Sequence, residues 1–324
     1  MITLITLSKI AKEAHVSVST ASKAFSGSPE VNEETRQAIF DVAKKYGCFK
    51  KFFNAKYSKY VIAIICPEFG SIHYANYLSF LRQNLEQKNC EICVAESGFS
   101  PEKEAELLNY YYKHVDVDAI IVIEPSCQMP EHADLPVLFL GPIDESGDCP
   151  SVFCDVDTAL EDSIRYLKSK GVDKIGFLGE ALTTRKLLHF QNVLNKQGLV
   201  YNENFVQIAG QRFEPGGYMA MEKLLQSQEL PRAVICAYDA MAIGALRCLA
   251  DHGLRVPEDI AILGMDDIPQ APYLNPPLAS INSQIDVLCA LAATTVIAQI
   301  NNNPVPSKQR FPSSFKLRRS FEID

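Results

Sequence analysis

Residues 6–25 read TLSKIAKEAHVSVSTASKAF, two short helical patterns around one tight break. Leu7, Ile10, Ala11 and Ala14 recur at helical spacing, which gives the first pattern one apolar face. Ala14-His15-Val16-Ser17 interrupts the period, and Ser17 is placed to cap a second helix beginning at Val18. In that helix Ala21, Ala24 and Phe25 fall on one side, while Ser19, Thr20, Ser22 and Lys23 face outward. Small and basic groups exposed on the second of two helices joined by a short turn form the helix-turn-helix pattern. An ordinary helical hairpin with a solvated Ser-rich face shares the same periodicity.

Charge distribution favours the first of these. Residues 1–60 hold nine Lys and one Arg against four Glu and one Asp, a net of +5, and the remaining residues then carry −13 of the total of −8. A basic head on an acidic body suits a polyanion-binding module attached to an ordinary globular domain.

Working outward from the head, Ser26–Val31 is turn chemistry, with Gly27 and Pro29 breaking the second helix. Asn32 can cap a third helix, and Glu33 and Glu34 favour its first turn. Thr35, Ile39, Val42 and Tyr46 then continue at helical spacing until Gly47 ends it. Residues 48–59, CFKKFFNAKYSK, show neither strand nor clear helix period and read as a linker, whose Lys50, Lys51, Lys56 and Lys59 can attract phosphates or simply solvate a tether.

From Tyr60 the texture changes. Apolar runs at 60–66, 91–95, 119–123 and 137–140 alternate with helical segments near 75–88 and 101–114. The pattern begins again after Asp155, with runs at 174–178, 205–209, 233–237 and 261–264 separated by helices near 157–169, 185–197, 215–227 and 239–252. Such alternation predicts parallel sheets covered on both faces, here two similar doubly wound subdomains. A long helix near 284–301 and a closing segment near 313–320 complete the chain.

Open parallel sheets bind ligands beyond the carboxyl ends of their strands, and paired domains bind between them. The residues just past those ends are Glu68, Phe69, Ser97, Glu124, Asp155, Glu180, Tyr238, Asp239 and Asp266. Carboxylates accept from vicinal hydroxyls, and an aromatic face suits the C–H side of a sugar ring, so a small polyhydroxylated ligand fits these groups. At any one position a helix cap or a solvated loop carboxylate explains the same residue type.

At 324 residues, 47% apolar and 22% charged, the chain can bury a large core. Its longest apolar stretch, 285–300, carries Asp286, two threonines and Gln299 and reads as a packed helix rather than a membrane span. No basic-then-apolar export signal opens the sequence, so its ten cysteines are expected as reduced thiols in a cytoplasmic protein. Cys90 and Cys93 form a C-x-x-C, but strand alternation aims them at opposite faces, which argues against zinc or redox chemistry. The sequence holds no G-x-S-x-G elbow, Walker loop, G-x-G-x-x-G turn or H-E-x-x-H, and its six histidines are scattered. No enzyme, metal or cofactor is expected.

With these residues assembled, the chain resembles the lac/galactose repressor family of bacterial transcription regulators over essentially its whole length. The head, TLSKIAKEAHVSVSTASKAFSGSPEVNEETRQAI, is similar to the family's T-[IL]-x-[DE]-[IV]-A-x-x-A-x-V-S-x-x-T-[VA]-S-[RK] continuing into V-x-x-x-T-R-x-x-[IV]. RAVICAYDAMAIGAL (232–246) resembles A-[IV]-x-x-x-[ND]-D-x-x-A-x-G-A-x, and VPEDIAILGMDD (256–267) resembles V-P-x-D-[IV]-x-[IV]-x-G-[FY]-D-[DN]. Three ordered motifs at family spacing make the likeness specific.

The resemblance implies an N-terminal all-α helix-turn-helix head and an α/β body of two doubly wound parallel-sheet subdomains like type I periplasmic binding proteins. Its divisions would be a head at 1–47, a hinge at 48–59 and an effector-binding and dimerisation body at 60–324. Within the body, an N-subdomain would take about 60–156 and 286–308, and a C-subdomain about 157–285 and 309–324. It places Thr6, Ser17, Thr20, Ser22, Asn32 and Thr35 against phosphates or the groove wall, and Val18, Ser19 and Lys23 along the base-reading helix. The effector set it implies, joined to the strand-end residues, is Phe69, Ser97, Glu124, Arg185 or Lys186, Tyr238, Asp239 and Asp266.

Three departures from the family stand out. Tyr238 replaces a common Asn. The hinge pattern P-N-x-x-A-R-S-L is poorly kept, with Lys50 at the Pro, Asn54 at the Ala and Tyr57 at the Leu that wedges into the minor groove. Ala119 replaces a Gly. The expected function is a sequence-specific regulator, a repressor, binding a near-palindromic double-stranded operator as a homodimer and modulated by a small carbohydrate-like effector. A body answering to a protein partner instead is the alternative that Tyr238 and the altered hinge suggest.

Overall fold

The computed structural model describes residues 5–53, 59–126, 135–142 and 149–324, and the chain divides into two compact units, Met1–Tyr60 and Val61–Asp324. In the first unit, α1 (Leu7–Glu13), α2 (Val18–Phe25) and α3 (Glu33–Lys45) begin at Thr6, Ser17 and Asn32, whose side chains accept from the backbone N–H three residues on. Their core is Ile10, Ala11, Ala21, Ala24, Phe25, Val31, Ile39 and Ala43. Arg36 locks the loop between α2 and α3 by donating to the carbonyls of Ala24, Ser28 and Val31.

The chain expected to be linker from residue 48 onward does something else at its start. Phe49–Phe52 forms a single turn, α4, and Cys48, Phe49 and Phe52 pack on the head's core. Phe25, Phe40, Phe49, Phe52 and Phe53 make one aromatic cluster with ring centroids 4.9–6.3 Å apart. So small a three-helix core buries little by itself, and these rings add large apolar area to it. Sequence periodicity missed the turn because four residues are too few to show a period. Asn54, Lys56 and Tyr57, the rest of the compared hinge, lie outside the described residues.

The second unit contains two six-stranded sheets. The first has β1 (Tyr60–Cys66), β2 (Cys90–Glu96), β3 (Ala119–Ile123), β4 (Val137–Leu140), β5 (Ser151–Asp155) and β11 (Lys308–Pro312) in the order β11-β5-β4-β3-β1-β2. The second has β6 (Ile175–Glu180), β7 (Val206–Ala209), β8 (Ala233–Cys236), β9 (Ala261–Met265), β10 (Ala279–Asn282) and β12 (Ser314–Lys316) in the order β12-β10-β9-β8-β6-β7. Central pairs such as β1–β3 and β8–β9 are parallel, and the short β12 lies antiparallel on β10. Burial on both faces explains the unbroken apolar runs: every residue of β3, β4, β8 and β9 is buried. Helices α5 (Ile72–Glu86), α6 (Pro101–His114), α7 (Val156–Ser169), α8 (Thr184–Lys196), α9 (Phe213–Leu225) and α10 (Asp239–Asp251) supply the crossovers, and α11 (Ile285–Ile300) packs on α5 and the first sheet.

Three segments pass from one sheet to the other, after β5, after β10 and between β11 and β12. Lys308–Pro312 pairs in parallel register with β5, so the last passage lies at Ser313 rather than between 308 and 309. The passages are tied to one another. Ser313 donates its Oγ to the Asp155 carbonyl and accepts there from Ala159 N, while Gln284 Nε2 donates to the Pro312 carbonyl at 2.6 Å. Asp155, a strand-end residue, caps α7 and pairs with Arg310 at this junction and so plays no part in the cleft.

Helices α9 and α10 cross with their backbones in contact. A Cβ on Gly217 would meet the Met241 carbonyl at 1.9 Å, and one on Gly244 would meet that of Glu214 at 1.9 Å. The glycine of the 232–246 motif is therefore a packing residue. No helix among the described residues is long and apolar enough to cross a membrane. Cys90 is buried and Cys93 half-buried on one strand, and burial raises the pKa of both thiols.

Candidate functional sites

On the head, α2 presents Val18, Ser19, Ser22 and Lys23 to solvent, with Val18 48% exposed. Ser17 caps the helix through Thr20 N at 3.0 Å, and the Ser17 and Thr20 hydroxyls lie 2.8 Å apart. Lys23 pairs with Glu30. Thr6 and Asn32 are exposed caps and Thr35 is half-buried in the first turn of α3. An exposed Val opening a capped helix, with hydroxyls and a lysine around it, is the chemistry a major-groove edge can meet.

The second unit holds a cleft of about 270 Å³ between the carboxyl ends of the two sheets. The first sheet's side contributes Glu68, His73, Tyr74, Phe99 and Glu124, and the second contributes Glu180, Lys186, Arg212, Phe213, Tyr238 and Asp266. Two links cross it. Arg212 grips Glu68 with both terminal nitrogens, at 2.5 and 2.8 Å, and its guanidinium lies between the rings of Phe99 and Phe213, 5.1 and 4.6 Å from their centroids. His73 Nδ1 lies 3.2 Å from Asp266 Oδ1, off the hydrogen-bond direction, while its Nε2 faces Glu124 at 3.7 Å.

Burial opposes a charge on His73, but the Asp266 and Glu124 carboxylates outweigh it and hold its pKa above the ordinary imidazole value. Burial likewise opposes ionisation of Glu124, and the facing His73 imidazole with the Tyr74 hydrogen bond overcomes it, bringing the carboxyl down to about 2. Lys186 donates to the Ala237 carbonyl at 2.7 Å and stands 3.7 Å from Asp266. The Tyr238 hydroxyl accepts from Phe213 N at 3.0 Å, which fixes the ring in the cleft wall. Phe99, Glu124, Phe213 and Asp266 all have positive φ, at 59°, 47°, 60° and 108°. Non-glycine residues held there store strain, which clusters at binding sites.

Of the anticipated effector residues, Glu124, Lys186, Tyr238 and Asp266 line the cleft. Four do not. Phe69 stands 48% exposed outside it, and Ser97 is buried, its N–H extending the β1 ladder to the Cys66 carbonyl. Arg185 is solvent-exposed one position away, and of the two only Lys186 lines the cleft. Asp239 turns inward: it accepts from Ser280 Oγ at 2.6 Å and Ile268 N at 2.8 Å, and burial pushes its pKa up to about 8. A Cβ on Gly264 would meet its Oδ1 at 2.0 Å, so this carboxylate and that glycine form one structural unit.

His73, Tyr74, Phe99, Arg212 and Phe213 escaped the strand-end reading. Arg212 lies three residues beyond β7, and His73 is the second residue of a helix anticipated to begin near residue 75, so a wider window at each strand end finds both. Among the described residues no group of three or more His, Cys, Asp or Glu is placed to hold a metal ion.

Residues 6–47 match the family described as bacterial regulatory proteins, lacI family, and residues 164–321 match the periplasmic binding protein-like domain. Together the two matches span well over half the chain. Catabolite control protein A of Priestia megaterium is 26% identical over 98% of this chain and 99% of its own. Among solved structures, a transcriptional regulator CelR–cellobiose complex superposes with a TM-score of 0.69 at 23% identity, covering 98% of this chain and 99% of that one. The lac repressor dimer bound to operator and the anti-inducer ONPF gives 0.75 at 18% identity, with coverage of 98% and 99%. These two likenesses are of fold. The family is one of transcription regulators, not enzymes.

Proposed function

We propose, from the premise that this chain belongs to the lacI family of bacterial regulatory proteins and is a DNA-binding transcriptional regulator, that it is a repressor governed by a small polar effector held between the two sheets. The observation that carries this reading is the pair of links across the cleft, Glu68–Arg212 and His73–Asp266. Each joins residues of different sheets, so a ligand that enters must remake the contacts that set one sheet against the other. The three tied passages at Asp155, Gln284 and Ser313 offer the pivot. Coupling then follows if effector binds two settings unequally, with roughly 1–3 kcal/mol usual between linked sites.

In this reading the head reads DNA through Val18, Ser19 and Lys23, with Thr6, Ser17, Thr20, Ser22, Asn32 and Thr35 on the backbone. A homodimer presents two heads to two half-sites, because a two-fold protein matches a two-fold operator. The effector set becomes Glu68, His73, Glu124, Lys186, Arg212 and Asp266 with the aromatic walls, which suits a carbohydrate-like ligand of the kind named in the CelR–cellobiose complex.

The test is a thermal-shift screen of the whole chain with neutral sugars, sugar acids, sugar phosphates and amino sugars, followed by footprinting with any ligand found. Saturable stabilisation that alters operator protection is the expected result. Removing residues 1–59 should abolish the footprint and leave the ligand's shift intact. Tight binding of a cellular protein to the body, with no response to any small molecule, would overturn the effector reading.

A further inference from the structure

We infer that the effector carries a protonated amine and that Glu180 is the group that receives it, an assignment resting on the cleft reading above. The geometry points to this through the pairing of charges. Arg212 is committed to Glu68 by two hydrogen bonds. His73 faces Glu124 and Asp266, and Lys186 faces Asp266. Three cations thus stand among four carboxylates, and Glu180 has only a share of Arg212, whose terminal nitrogens are held by Glu68.

Glu180 ends β6 and is 97% buried, with 3% of its surface exposed. Its Oε2 accepts from Leu182 N at 2.8 Å, but its Oε1 has no hydrogen-bond partner. The nearest cationic atom, Arg212 Nε, lies 3.5 Å away, and it too lacks a partner. Glu180 lines the cleft, with this oxygen buried in its wall beside Arg212. Glu214, the remaining carboxylate on the wall, is exposed and solvated.

A buried carboxylate without a full partner is costly, and a ligand that supplies the missing charge recovers that cost on binding. A hydroxyl at the same place would donate one hydrogen bond and leave four carboxylates to share three cations. An acidic ligand would meet Glu180 as a like charge. The preferred ligand class is therefore a basic polyhydroxylated molecule, an amino sugar in its simplest form.

The experiment uses the full chain and titration calorimetry with matched probes. These are glucosamine, galactosamine and mannosamine against their N-acetyl derivatives, the parent hexoses and the corresponding uronic acids. At least one free amine should bind about tenfold or more tightly than its neutral counterparts, the range of a charge-assisted hydrogen bond. Glu180→Gln keeps an oxygen for Leu182 N and should bring that ratio close to one. It should also raise the melting temperature of the ligand-free protein, since a buried charge that only shares Arg212 with Glu68 is removed. Neutral hexoses binding as well as the amines, or a preference that survives Glu180→Gln, overturns the assignment and leaves the cleft reading standing. Silence from every probe, neutral and charged, counts against both.

Discussion

The head and the cleft hold their functional side chains in opposite ways. On the head, Val18, Ser19, Ser22 and Lys23 project from a small core into solvent, ordered by the cap, the helix beneath and, for Lys23, an exposed pair with Glu30. In the cleft, Glu68, Arg212, His73 and Asp266 point at one another and are answered across it. A surface of the first kind is ready for its partner at any time. In the second kind an incoming molecule has to compete with contacts already made, so its binding carries information about the state of the protein. On the proposed function, one region recognises and the other is changed by recognition.

That contrast can be broken most severely at Phe25. The ring is buried at the centre of the aromatic cluster, so Phe25→Ala should cost the head about 3–5 kcal/mol. Operator binding by gel shift should be lost, while the calorimetric transition of the body stays where it was. A body transition that moves with it would mean the two units do not melt separately.

Next in size is Gly244→Ala, which sets a Cβ against the Glu214 carbonyl where α9 and α10 cross. Overpacking of about 1–3 kcal/mol is expected, read as a lower melting temperature of the body with the head's DNA contacts unaffected.

Arg212→Ala sharpens the comparison, because it removes one link across the cleft and strands Glu68. The ligand-free body should lose about 1–3 kcal/mol, and Arg212→Lys should recover part of it without the two-pronged geometry. Equal melting temperatures for wild type and R212A would show that the link holds nothing closed.

A smaller and pH-dependent effect belongs to His73. Its pKa is raised in the folded protein, so its stabilising charge is fully present below the unfolded value near 6.5 and is lost as pH rises through the higher folded value. The melting-temperature gap between wild type and His73→Gln should be widest in mildly acidic buffer and close with rising pH. Smallest of all, Arg185→Ala should leave ligand affinity unchanged while Lys186→Ala weakens it, since only Lys186 reaches the cavity.

The same contrast governs what could be read from residues. The head was legible almost to the residue, because caps, helix period and outward polar side chains are local relations within twenty positions. The two sheets were legible from buried apolar runs, but β5, β10 and β11 were not separated from their surroundings: SVFCD is short, and KQRFP, an exposed edge strand, has no apolar run to announce it. The cleft was legible in part. Glu68, Glu124, Glu180, Tyr238 and Asp266 follow from the rule that ligands sit past strand ends. Asp239 satisfies the same rule and turns the other way, because Ser280 and Ile268, far off in sequence, offer it donors. Positive φ at Phe99 and Phe213 leaves no mark on residue type, so the aromatic walls around Arg212 could be found only in three dimensions.

The aromatic turn after α3 has a practical consequence for building hybrids. Helical periodicity stops at Gly47, and a head exchanged at that joint would arrive without Phe49, Phe52 and Phe53, leaving Phe25 and Phe40 facing water. The transferable reading module extends through Phe53. Grafts cut there should carry their sequence preference to a foreign body, and grafts cut six residues earlier should arrive unfolded.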